Sequence, residues 1–152
     1  MSSVTRVVNT TPDRVWEVLS DGWLFPLWVV GAARIRDVDE TWPKVGSRIH
    51  HSVGVWPVLL NDDTEVLEQR PSQLIRLRAN AWPLATAHVS ISLNATGSHT
   101  EVVIEEQATS GPGAVVPDKL IAPFLNWRNV ETLRRLAFIA EKRPTQQPAG
   151  RG

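Results

Sequence analysis

Between residues 32 and 109 the chain breaks roughly every ten residues at proline, glycine or asparagine, the rhythm of an antiparallel meander. The breaks read "ETWPKVG", "VWP", "QRPS", "NAWP" and "NATGSHT". They predict strands over 32–39, 46–55, 58–69, 73–80, 84–94 and 100–109. Within the runs the side chains alternate. Ala85, Ala87, Val89, Ile91 and Leu93 share one face, and Thr86, His88, Ser90 and Ser92 share the other. Ile75, Leu77 and Ala79 likewise oppose Arg76, Arg78 and Asn80. A sheet of that pattern is covered on one side and wet on the other.

A long helix predicted over 117–142 supplies the cover. Its most apolar stripe passes through Val130, Leu133, Leu136, Ala137 and Ala140, while Arg128, Glu131, Arg134 and Arg135 read as a solvated face. Ahead of the meander, Val4 to Val8 predicts a short strand. Thr11-Pro12-Asp13 then opens a helix over 12–20 with a cap, a first-turn proline and an acid. A second short helix, containing Trp23, Phe25 and Trp28, is expected to end near Gly31. One domain over 1–143 and a polar, disordered tail over 144–152 are expected.

Sixteen basic residues balance sixteen acidic ones, which leaves no electrostatic footprint for nucleic acid or an anionic membrane surface. Cysteine is absent, so disulfides and thiolate chemistry are excluded and a reducing compartment is expected. Neither a signal peptide nor a membrane-inserting run is read in the sequence, and the expected location is cytoplasmic. Monomer and homodimer both fit.

Seven tryptophans stand beside three phenylalanines and no tyrosine, and three of the seven precede proline, at Trp42, Trp56 and Trp82. Successive turns of a meander alternate between its ends. That places Trp56 and Trp82 with the "SGPGAVVP" connection and the first turns of the long helix, where Phe124 and Trp127 lie. Together they are expected at the mouth of a pocket between sheet and helix, or else as a cap on the core.

This order of elements resembles the helix-grip fold of the START-like, or SRPBCC, superfamily. "TTPDRVWEVLSD" resembles its first helix, "TWPKVGSRIHH" its second hairpin, "DTEVLEQRPSQLIRLR" its fourth and fifth strands and "RNVETLRRLAFIAE" its terminal helix. The similarity is closest to the branch of polyketide cyclases/dehydrases and lipid-transport proteins. It implies an α+β fold, a curved antiparallel sheet of about seven strands wrapped on a long C-terminal helix. Activity varies across that superfamily and does not follow from the fold.

By strand parity His51, Val53, Asp62 and Glu106 face the covered side, where an acid or base among apolar groups acquires a shifted pKa. Asn126 and Asn129 lie on or near the helix face toward the sheet. The ligand-binding set expected from sequence is therefore Trp28, His51, Val53, Trp56, Asp62, Trp82, Glu106, Phe124, Asn126, Trp127 and Asn129. No metal site or cofactor motif is read: neighbouring His50 and His51 point to opposite faces, and Gly111-Pro112-Gly113 lacks the lysine of a phosphate loop. Two functions fit. One is binding of a hydrophobic or amphipathic small molecule, such as a lipid, polyketide or isoprenoid. The other is a cyclase, dehydratase or hydrolase with His51, Asp62 or Glu106 as acid–base group. A third use, docking a protein through exposed tryptophans, names no partner.

Overall fold

Alternation along the strands is realised as one seven-stranded antiparallel sheet in a computed structural model, which describes residues 2–30, 32–55, 58–81 and 85–142. The elements are β1 (Ser2–Val8), α1 (Pro12–Leu19), a single 3-10 turn (Gly22–Leu24), α2 (Phe25–Trp28) and β2 (Ala32–Val38). They continue with β3 (Arg48–Val55), β4 (Val58–Arg70), β5 (Leu74–Ala81), β6 (Ala85–Thr96), β7 (His99–Ser110), α3 (Pro112–Val115) and α4 (Asp118–Lys142). The sheet order is β1-β7-β6-β5-β4-β3-β2, so the first strand adds to the edge of the last. In that pairing Ser2 lies opposite Glu106 and Val8 opposite Thr100.

The second short helix differs from its expected form. Asp21 accepts the Trp23 N–H at 3.2 Å and starts a 3-10 turn. Pro26 then opens α2, which stops at Trp28 because Val29 is already extended. The Trp42-Pro43 turn, with a cis peptide bond, folds back on α1, and the indole Nε1 donates to the Leu19 carbonyl at 3.2 Å.

The core lies between the inner face of the sheet and the helices. Ile49, Val66, Ile75, Ile91, Leu93, Val102 and Ile104 from the strands meet Val15, Val18 and Leu19 of α1 and Leu133, Leu136, Ala137 and Ala140 of α4. Val130, read from sequence as part of the buried stripe, is instead half exposed. The inward arc runs through Leu125, Asn129, Thr132, Leu133, Leu136 and Ala140, and at 100° per residue Val130 falls on its margin. The inward position goes to Asn129, whose amide has partners there.

Two glycines make contrasting predictions. A Cβ on Gly22 would lie 2.6 Å from Val38 Cγ1 and 3.3 Å from Trp42 Cδ1. Gly22→Ala is expected to destabilise the fold by about 1–3 kcal/mol through overpacking, read from urea denaturation. Gly46 has φ +87° and open space around it. Its alanine variant carries backbone strain alone and should cost about 1 kcal/mol.

Candidate functional site

The first half of α4 leaves a hollow of about 190 Å³ above the inner face of the sheet. Its apolar walls are Phe25 and Trp28 of α2, Leu77 and Ala79 of β5, Val89 and Ile91 of β6, Ile104 and Ala108 of β7, and Leu125 of α4. These strand residues are the apolar set that parity assigns to the covered face. Short alanines at the β5, β6 and β7 positions keep the space open.

One wall is polar. Glu106, 5% exposed, extends from β7, and Arg128 donates to its Oε1. Asn129 Nδ2 donates to its Oε2 at 3.0 Å and reaches Ser2 Oγ at 3.3 Å. Ser2 in turn donates to Asn126 Oδ1 at 2.6 Å. On the next turn of α4, Thr132 Oγ1 accepts the Val30 N–H at 3.3 Å. Residues 128, 129 and 132 share a flank of the helix, so two successive turns deliver a cation, an amide and a hydroxyl to the same wall.

Across the hollow, Thr64 stands on β4, and His51 Nε2 lies 2.9 Å from its hydroxyl. The imidazole is 4% exposed and stacked on Phe25, with ring centroids 6.0 Å apart. Burial lowers the His51 pKa, and the nearby charges of Asp62 and Asp63 oppose this only in part. The ring is therefore neutral at pH 7.

The expected site residues separate into groups. Trp28, Glu106 and Asn129 line the hollow. His51 touches two of its lining residues, Thr64 and Phe25. Asp62 faces His51 across the β3–β4 register but is absent from the described walls. Its Oδ1 accepts the Asp63 N–H at 2.9 Å, and its carbonyl accepts from Arg36. Phe124 and Trp127 do not line the hollow. They point outward, 58% and 62% exposed and tilted against one another: at 100° per residue Trp127 lies opposite the Leu125–Asn129 face and Phe124 beyond its edge. Asn126 is exposed at the end of the Ser2 chain. The Val53 side chain, Trp56 and Trp82 lie outside the described residues, as does the tail.

Arg128 is the largest correction. Read from sequence as part of a solvated face, it closes a salt bridge with the carboxylate on the cavity wall. The signal for it was Glu106 itself: a carboxylate on an otherwise apolar strand face requires a cation nearby. Phe25, Thr64 and Thr132 were also missed. Among the described residues no group of three or more histidines and acids is placed to hold a metal ion, and no helix is long and apolar enough to cross a membrane.

Comparison with known proteins agrees with this architecture. The family model described as "Polyketide cyclase / dehydrase and lipid transport" matches residues 2–141. The chain belongs to this family. Among solved structures, the di-domain ARO/CYC StfQ from the steffimycin biosynthetic pathway aligns with TM-score 0.71 at 14% identity, over 91% of this chain and 49% of that two-domain protein. Ara h 8.0201 aligns with TM-score 0.70 at 9% identity, over 91% and 95% of the two chains. Protein CV1439 from Chromobacterium violaceum aligns with TM-score 0.67 at 19% identity, over 93% and 97%. At these identities the likeness is one of fold, the helix grip of a seven-stranded sheet on a long C-terminal helix. No curated protein matches the sequence.

Two outcomes follow from the site. The side chain of Glu106 is 6% exposed and that of Arg128 28%. Arg128→Met strands a buried carboxylate, whereas Glu106→Gln leaves a guanidinium that still reaches water. The arginine variant should be the less stable by about 1–3 kcal/mol in denaturant titrations. His51, with its folded pKa below the unfolded value, contributes stability that is complete above about pH 6.5 and is lost as pH falls toward the folded pKa. Thermal melts from pH 7.5 to 5 should show that loss, and His51→Gln should flatten it.

Proposed function

We propose that this protein binds a hydrophobic or amphipathic small molecule, of lipid, polyketide or isoprenoid character, in the hollow between the sheet and α4. The observation that carries the reading is the hollow itself, about 190 Å³ with walls dominated by Phe25, Trp28, Leu77, Val89, Ile91 and Ile104. Each methylene moved from water into such surroundings contributes about 0.8 kcal/mol. Membership of a family described by cyclisation, dehydration and lipid transport supports the same class of ligand.

The acid–base alternative lacks a convergent set among the described residues. Glu106 on β7 is committed to Arg128 and Asn129, while His51 sits on β3, with three strands between them. Binding is therefore the reading adopted.

Trp28 lines the hollow, so intrinsic tryptophan emission should shift during titration with apolar ligands. Ala108→Phe, which fills the space from β7, should abolish that shift while far-UV circular dichroism stays unchanged. A flat titration across a panel of lipids and polyketides, or an undiminished response in the filled variant, would remove the proposal.

A further inference from the structure

We infer that Arg128 is the polar anchor of the hollow, its guanidinium donating to an uncharged carbonyl oxygen set within an otherwise apolar guest; this rests on the ligand-binding reading above. Three observations carry it. The first is a donor with capacity to spare. A guanidinium presents N–H groups on all three of its nitrogens. Nη2 of Arg128 donates to Glu106, while Nε and Nη1 have no partner among the described residues. Nor are they sealed from solvent: the buried side-chain polar atoms without a partner among the described residues are Trp28 Nε1 and His51 Nδ1. Arg128 lines the hollow with its side chain 28% exposed, whereas Thr64, Glu106, Asn129 and Thr132 are 1–5% exposed. The accessible polar surface of these walls is therefore chiefly the guanidinium.

The second is position. Strand register arranges the walls in rows. Ala79, Ala87 and Ala108 lie side by side on β5, β6 and β7 and are partly exposed. Leu77, Val89 and Glu106 form the next row inward, and Ile91 pairs with Ile104 in the row beyond. Rows on one face of a sheet are two residues, or about 7 Å, apart along the strand. The Glu106–Arg128 pair thus sits one row inside the alanine rim, with hydrocarbon on either side. An oxygen that reaches Arg128 belongs to the body of the guest rather than to a head group left in water.

The third is charge. Glu106 and Arg128 are the charged residues in the described walls, and their charges cancel. A carbonyl leaves that balance intact and brings no donor that would itself need a partner. A carboxylate would give up hydration inside the rim and add a second negative charge beside Glu106.

Isothermal titration calorimetry of the whole chain at pH 7 tests this with three probes of one ring system: indane, 1-indanone and indane-1-carboxylate. The ketone is expected to bind about tenfold more tightly than the hydrocarbon, the lower end for a hydrogen bond from a charged donor, and more tightly than the carboxylate. Glu106→Gln, which releases the whole guanidinium, should turn the preference to the carboxylate. Arg128→Met combined with Glu106→Gln strands no charge and keeps an amide oxygen for Asn129; it should bring ketone and hydrocarbon within about twofold of each other. In NMR spectra of the unaltered protein, the Arg128 guanidinium N–H protons should move downfield with the ketone and not with the hydrocarbon. Equal affinity for ketone and hydrocarbon, a ketone advantage that survives the double substitution, or a carboxylate preferred by the unaltered protein would each overturn the inference while the binding reading stands. Should the double variant fail to fold, the affinity order and the Arg128 signals decide alone. Failure of all three probes, indane included, would remove the binding reading and the inference together.

Discussion

A carboxylate taken out of water costs several kcal/mol unless a cation and hydrogen-bond donors replace the solvent it gives up. Glu106 meets that condition through α4, where Arg128 and Asn129 hold its two oxygens. Asn129 extends the connection to Ser2 on β1, and Ser2 extends it to Asn126. A single buried charge on β7 thus fixes the first half of the long helix against two strands. Large polar groups that are satisfied in this way stay on their wall, which is one reason the space beside them is not filled.

The two halves of α4 do different things. Beyond Thr132 the inward residues are Leu133, Leu136, Ala137 and Ala140, which belong to the same packed core as α1 and the strands. Before it they are Leu125, Arg128 and Asn129, which border the hollow. Tight packing at one end anchors the helix, and the other end is free to stand off the sheet. Tight packing and the open hollow are therefore separated along one element rather than competing for the same residues.

Strand parity made the fold legible, because a period of two is hard to mistake when Ala87, Val89 and Ile91 alternate with His88 and Ser90. The same logic placed Glu106 on the inner face, where it is found. The helix was harder. Val130 is apolar but lies on the margin of the inward arc, and Asn129 holds an inward position, where its amide has partners. Phe124 and Trp127 attract attention as aromatics, but their angular position on α4 sends them outward. Arg128 looked like one more surface arginine, and only its neighbour across the chain fold distinguishes it from Arg134, which pairs with Glu131 on the exposed side. Long-range pairing of this kind, between residues 22 positions apart, leaves no trace in local periodicity.

β1 is an edge strand, hydrogen-bonded to a neighbour only along β7 among the described residues, and its buried Ser2 is a link in the chain that steadies Asn129. An edge strand opens more readily than a central one. Each time the first residues of β1 peel away, Asn129 loses one of its two contacts and the Glu106 wall loosens. The fraying of a sheet margin and the shape of the interior space are thus one coupled equilibrium, and a guest that fits the ordered wall would hold the margin closed.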